Sequence, residues 1–388
     1  MERFGYIHLP QLYFKGMWIF ALLLYILIPL QSSATSLVYR GVVLLTFGCF
    51  VILIVQSLHV MRSFIGSREM ACIILLIGVI LLSLMLNDGK ISFDTHIMGI
   101  LGFIEMPLAI MLMDHVDYNN ENTRFILCVN ILIAVVFSVL SVSKYAYSGT
   151  LDSLYLGYSN PNATAIYLLM NQATLIMFLP MLKRITSKCF VIGICLYEEY
   201  LIYLTDSRTC LIVSIVIVVY YFFGKKIKIP KWLIGGSILF PVAFLLIYSN
   251  MYANGKYMDL QILGKDFYSG REAYFLEQLA VLSKNYAFGN VRQYYFTNMH
   301  NGPLAIMASC GIIGYALWFL FYFWTIRRYY DGAKNQLQFI ALTAILGVFI
   351  HSCSEAALIV GGAHYSIIVA TFYWILKGKV HIGNCETY

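Results

Sequence analysis

The sequence predicts an all-α, polytopic integral membrane protein of about twelve transmembrane helices, and three observations carry that prediction. Of 388 residues, 60% are hydrophobic and 12% charged, where a soluble domain carries about 25% charged residues. Apolar runs of span length recur along almost the whole chain, each close to the roughly 20 residues a helix needs to cross a bilayer. Lys and Arg gather in alternate connections, as in loops that stay in the cytoplasm. Length alone would allow two or three soluble domains, but no soluble core buries apolar surface on this scale.

The candidate spans are 14–32, 39–59, 70–87, 97–113, 125–146, 162–181, 188–205, 209–223, 232–249, 302–325, 337–353 and 357–376. Three units follow: helices one to nine in 1–249, an extracytoplasmic loop in 250–301, and helices ten to twelve with a short tail in 302–388. With the amino terminus inside, the inner segments hold Arg3, Lys15, Arg62, Arg68, Arg124, Lys183, Arg184, Lys188, Lys225, Lys226, Lys228, Lys231, Arg327, Arg328, Lys334, Lys377 and Lys379. The short outer segments hold Arg40, Lys90, Lys144 and Arg208. Both termini are therefore expected in the cytoplasm. The first apolar run has span length and no small-residue cleavage site follows it, so a cleavable signal peptide is not expected. Nearly all of the nine cysteines fall inside apolar runs, which is neither a disulfide framework nor a metal spacing.

Two outer segments are longer than a connection requires. Residues 147–161 are rich in turn formers. Residues 250–301 interleave polar and aromatic side chains, and within them 271–284 repeats apolar residues at helical spacing. That stretch reads as an amphipathic helix near the membrane surface. The Lys225-Lys226-Ile227-Lys228 cluster reads as a topology signal touching anionic lipid rather than a nucleic-acid patch.

Polar groups at the membrane boundary are the candidates for chemistry. Four constellations face outward in this topology: Asn160-Pro161-Asn162, Thr205-Asp206-Ser207-Arg208-Thr209, Ser269-Gly270-Arg271-Glu272, and His300-Asn301. An arginine fork matches phosphate oxygens through two parallel hydrogen bonds, so Arg208 and Arg271 together suit a diphosphate. Each residue also has a plainer reading. Arg208 can snorkel at a helix end, Arg271 can pair with Glu272, and His300 can cap a helix start. Glu105, Glu198, Glu199, His351 and His364 read as groups bonded across helices or lining a cavity, and Asn171-Gln172 as interhelical glue.

In order, Gly157-Tyr158-Ser159-Asn160-Pro161-Asn162, Asp206-Ser207-Arg208-Thr209, Ser269-Gly270-Arg271, His300-Asn301-Gly302-Pro303-Leu304 and Gly311-Ile312-Ile313-Gly314 resemble the O-antigen ligase and polymerase superfamily. These are bacterial membrane glycosyltransferases that use undecaprenyl-diphosphate-linked glycans. The resemblance runs from roughly Gly157 to Tyr315 and rests on motif order and on the place of the large outer loop. It implies that Arg208 and Arg271 hold the carrier diphosphate and that His300 is the catalytic base. Asn301, Asn162, Ser207 and Glu355 would support them, Glu355 lying with Ser354 at the end of span eleven. Two departures are Gly302-Pro303 after the His-Asn pair, and Tyr274 or Phe275 where a Trp is usual; both bear on the acceptor more than on the reaction.

A glycosyl diphosphate is already activated, and the chain has no nucleotide-cradling glycine loop; no cofactor and no metal are expected. The expected activity is transfer of a glycan from the carrier to a sugar hydroxyl at the outer leaflet of a bacterial inner membrane, as a repeat-unit polymerase for O-antigen, capsule or exopolysaccharide. The alternatives are a ligase that moves finished glycan to a lipid or protein acceptor, and a secondary transporter. Expected partners are the lipid-linked oligosaccharide, the acceptor glycan, a chain-length regulator and a flippase, and no nucleic acid. Against a transporter stand spans that read as lacking the paired Gly- or Pro-interrupted helices expected at a mid-membrane site, and ionisable residues that gather at the outer face.

Overall fold

The computed structural model describes residues 8–27, 67–92, 96–143, 153–158, 161–223, 250–255, 261–262, 265–266, 271–293, 301–330, 336–352, 355 and 363–377, with scattered positions between 41 and 51 and between 235 and 247. The described chain is helical: α1 (His8–Leu27), α2 (Arg68–Leu86), α3 (Met98–Leu112), α4 (Asn120–Ser141), α5 (Pro161–Phe178), α6 (Ile185–Leu204), α7 (Arg208–Phe223), α8 (Glu272–Lys284), α9 (Gly302–Tyr330), α10 (Gln336–His351) and α11 (Ala363–Lys377). The exception is a two-residue antiparallel ribbon, β1 (Gln261–Ile262) with β2 (Lys265–Asp266), inside the long loop. Helix starts follow their caps: the Met70 amide donates to Ser67 Oγ at 3.1 Å, and the Asn122 amide to Asn119 Oδ1 at 2.8 Å.

Four helices, α2, α4, α5 (with the turn that follows it) and α9, are long and apolar enough to cross a membrane, and α1, α7, α10 and α11 include shorter apolar stretches. Their outer faces show what surrounds them. Ile74, Leu75, Leu81 and Met85 of α2, and Leu132, Val135 and Val139 of α4, are exposed. Apolar surface so contiguous on such helices belongs to lipid, not water. The chain is an all-α membrane protein. Inside this sheath, α5 is buried on every side from Thr164 to Phe178, with α10 and α11 nearly as enclosed. Helix α9 packs along α2, α11 against α3 and α10, α10 against α7, and α5 between α4, α6 and α7.

One end of the bundle is pinned by ion pairs. Lys377 Nζ meets Asp114 Oδ1 at 2.7 Å, Tyr329 donates to the same carboxylate, and Trp374 Nε1 donates to the Val116 carbonyl at 3.0 Å. At this end Arg328 of α9 also meets Glu69 at the start of α2 at 3.6 Å, and Lys15 of α1 pairs with Glu121 at the start of α4. Helices α1 and α2 therefore begin at the same end. Helix α7 finishes there too, where Gln336 Nε2 donates to the Tyr221 carbonyl at 2.8 Å.

Helix α9 is broken. Gly311 has φ 69° and ψ −176°, backbone that glycine alone adopts readily. The amides of Ile312 and Ile313 turn from their own helix to the carbonyls of Tyr286 (2.8 Å) and Ala287 (3.3 Å). The carbonyls they abandon are taken up by the Asn290 amide at 2.8 Å on Ala308, and by Ser83 Oγ at 2.9 Å on Ser309. These two amides and two carbonyls are thus satisfied by the loop after α8 or by α2, as a low-dielectric interior demands. The interruption lies in Cys310-Gly311-Ile312, and residues 286–290 fill it. Glu105 and Glu198 are fully buried within α3 and α6, in keeping with their reading as groups inside the bundle.

Candidate functional site

At the end opposite the ion-paired one, the starts of α5, α7, α8 and α9 meet the end of α10. The Arg271 guanidinium stands at the N-cap position of α8, fixed there because Phe275, Gln278, Val281 and Leu282 turn one face of that helix inward onto α9. Its Nη2 donates to Glu355 Oε1 at 2.6 Å. Asn162, one residue into α5, donates through Nδ2 to the same oxygen at 3.0 Å. The side chains of Arg271 and Glu355 are 16% and 15% exposed, so the pair is shielded yet open to a solute.

The turn between α6 and α7 supplies the next group. Asp206 adopts φ 63°, tolerable for Asp because its short polar side chain suits the left-handed region. The Ser207 amide donates to Thr205 Oγ1 at 3.3 Å, and the Leu211 amide to the Ser207 carbonyl at 3.0 Å. Ser207 is buried and Arg208 is the first residue of α7. One turn in, Cys210 hydrogen-bonds Ser207 and feels the Glu355 charge, which brings this helix start to the Arg271–Glu355 pair.

Asn301 closes the arrangement. It is buried, and its Oδ1 accepts the Leu304 amide at 2.9 Å as the cap of α9. The Gly302 amide donates to the Ser352 carbonyl at 3.0 Å, tying the start of α9 to the end of α10 three residues before Glu355. The cap is thus made by Asn301. His300, Ser269 and Gly270 lie outside the described residues. The sequence reading gave His351 a structural role; it is fully buried as the last residue of α10 and feels both Glu355 and Arg271. Its place four residues before Glu355, one helical turn, is the signal that could have linked it to the site.

The structure therefore joins Arg271, Asn162 and Glu355 by direct bonds, and brings the Ser207-Arg208 helix start and Asn301 to the same end. Among the described residues no group of three or more His, Cys, Asp or Glu could hold a metal ion. Compared with protein-family models, with curated proteins and with solved structures, the chain matches none.

Proposed function

We propose that this protein transfers a glycan from an undecaprenyl-diphosphate carrier to a sugar hydroxyl at the outer leaflet of a bacterial inner membrane, as a repeat-unit polymerase. The reading rests on Arg271 and Asn162 both donating to Glu355 at the bundle end where Arg208 begins α7. Residues from distant parts of the chain so gather as one polar group at the end of apolar helices.

In the proposed reaction the acceptor hydroxyl oxygen attacks the anomeric carbon. The bond from that carbon to the carrier diphosphate breaks, and its electron pair leaves with the diphosphate. His300 takes the hydroxyl proton, the task of an imidazole with a pKa near 6.5. Arg208 and Arg271 stabilise the charge gathering on the leaving group, an effect worth roughly 3–4 kcal/mol per preorganised donor. Direct displacement inverts the sugar carbon.

The proposed topology has twelve spans with both termini in the cytoplasm. Its support is the direction of the helices. Since α1 and α2 begin at the same end, the connection between them leads from one end to the other, as a span at 39–59 requires. Likewise α7 finishes at the ion-paired end while α9 starts at the opposite one, which accords with a span at 232–249. The charge asymmetry then puts the Arg271 end outside.

A second reading, ion-coupled transport, draws on the break at Gly311, since interrupted helices mark binding sites in transporters. Here the break is filled by residues 286–290, which favours the first reading. The deciding experiment supplies purified protein in lipid with an undecaprenyl-diphosphate-linked repeat unit and follows chain growth. Polymer that vanishes in His300→Ala and Arg271→Ala supports polymerisation. Accumulation of unattached polymer in a gene deletion points to a ligase, and normal glycan with failed solute uptake to a transporter.

A further inference from the structure

Deep in the bundle, α5, α6 and α7 share a polar cluster that the proposed glycosyl transfer does not use. Asn171 Nδ2 donates to Glu198 Oε1 at 2.6 Å, and Gln172 Nε2 donates to Glu199 Oε2 at 2.7 Å and to the Cys195 carbonyl at 3.1 Å. Ser214 Oγ of α7 donates to Glu199 Oε1 at 2.8 Å. Asn171 stands ten residues into α5, roughly 15 Å from its start.

Two features set this cluster apart from ordinary interhelical glue. First, three acceptor oxygens, Asn171 Oδ1, Gln172 Oε1 and Glu198 Oε2, are buried with no hydrogen-bond partner among the described residues, although Asn171, Gln172 and Glu198 are each at most 1% exposed. Second, two adjacent carboxyls sit there, and among the described residues no Lys, Arg or His pairs with either. Among the described residues, the polar groups near Glu198 are Tyr25 of α1, Asn171 of α5, and Cys195 and Glu199 of its own helix; none carries positive charge. A bare carboxylate in a low-dielectric interior is among the costliest groups a fold can hold. Orphaned acceptor oxygens compound that cost. Both are relieved by one addition, a single positive charge set among oxygens.

We propose that Asn171, Gln172 and Glu198 form an intramembrane site for a monovalent cation, H⁺ or Na⁺. Bound as H⁺, the proton sits on Glu198 Oε2 and is donated to Asn171 Oδ1, closing a two-bond carboxylic acid–carboxamide ring. Bound as Na⁺, the ion draws its ligands from the three orphaned oxygens. A hard cation takes all-oxygen sets, and one fully buried carboxylate matches one charge. The site does not depend on the glycan-transfer reading.

The test uses the full chain purified in lipid nanodiscs. For Na⁺, the thermal midpoint of the wild type rises with NaCl but not with KCl at equal ionic strength, and the rise is lost in Glu198→Gln and in Asn171→Leu. For H⁺, salt identity has no effect. The infrared band of a protonated carboxyl then disappears in Glu198→Gln and shifts in Asn171→Leu, where its hydrogen-bond partner is gone. Either pattern upholds the site and names its occupant. A wild type indifferent to Na⁺, with a protonated-carboxyl band unchanged in the variant that folds, overturns it. So does a Na⁺ response that survives in that variant.

Discussion

Gly289 lies against Gly311 with no room for a side chain on either. A Cβ on Gly289 would come within 2.6 Å of the Gly311 nitrogen, and one on Gly311 within 2.1 Å of the Ala287 carbonyl oxygen. Both glycines have positive φ, 62° and 69°. The contact is the keystone of the broken helix, because it lets the loop backbone reach the amides of Ile312 and Ile313. Gly311→Ala therefore meets a steric collision and a strained backbone together, the strain alone costing about 1–3 kcal/mol. The expected outcome is a large fall in the thermal midpoint of purified protein. A midpoint equal to wild type would show that the loop does not enter the break.

The segment after α8 is also held from the other side. Arg292 donates through Nε to the Leu84 carbonyl and through Nη1 to the Gly89 carbonyl, both at 2.7 Å, and its own carbonyl meets His96 Nε2 at 2.8 Å. Arg292→Ala leaves two carbonyls at the end of α2 without a charged donor, each bond contributing about 1.5–3 kcal/mol. Because this anchor stands directly before residues 294–300, the variant is expected to lose transferase rate as well as stability. Gly89→Ala, in which a Cβ would press on Arg292 Cβ at 3.3 Å, is expected to act in the same direction with smaller effect.

Much of this bundle is written in hydropathy. The run read as 70–87 forms α2 (Arg68–Leu86), and the amphipathic pattern of 271–284 forms α8 (Glu272–Lys284). The run at 14–32 begins earlier, at His8, because Gln11 and Lys15 find Asn122 and Glu121 on α4. Polar residues extend a helix past its apolar window when a neighbour bonds them, and no single-chain pattern shows the neighbour. The site was half legible for the same reason. Arg208 and Arg271 stand out as cations on one side of the topology, but the bond from Arg271 to Glu355 spans 84 positions. The Gly311 break escaped notice because its partners are backbone amides and carbonyls of 286–290, which every sequence possesses. Asn171 and Gln172 did declare themselves as interhelical glue, and their carboxyl partners lie 27 residues further along the chain.

Asn301 caps a helix, and the job proposed for its neighbour His300 is separable from that. Asn301 caps α9, so Asn301→Ala is expected to lower stability by about 1 kcal/mol, and Asn301→Asp, which keeps the accepting oxygen, by less. His300→Ala is expected to abolish glycan transfer while leaving the thermal midpoint near wild type. If His300→Ala instead lowers stability and spares the rate, the imidazole serves the helix start and not the reaction.

At the ion-paired end, His115 provides a pH test that leaves the site untouched. Burial holds its imidazole below the usual value near 6.5; Asp114 opposes this, and Lys377 adds to it. With the folded value below the unfolded one, the unfolded chain binds more protons in acid. Stability is then fully present above about pH 6.5 and declines as the pH falls below it. His115→Gln removes the titration. The thermal midpoint of the variant between about pH 7 and about pH 5 should therefore fall less steeply than that of wild type. Identical slopes would exclude His115 as a contributor to acid sensitivity.

Arg271 and Glu355 form the contact on which the transfer reaction is expected to depend. The carboxylate has two donors on one oxygen, Arg271 and Asn162, so it fixes the direction of the guanidinium against the start of α5. In the proposed reaction, removing the guanidinium removes a preorganised donor to the leaving diphosphate, a loss expected to lower kcat by about 10²–10³. Arg271→Lys is expected to fall nearly as far, since an ammonium cannot bond the carboxylate and a phosphate through one planar fork. Glu355→Gln keeps an acceptor oxygen but not the charge. It should lower kcat by a smaller factor and leave Arg271 in reach of ligand. In a double-mutant cycle on kcat/KM the pair should couple by roughly 0.5–3 kcal/mol, as residues in contact do. Additive losses would mean that Glu355 holds the fold at this end without orienting Arg271, and full activity in Arg271→Ala would remove that guanidinium from the diphosphate site.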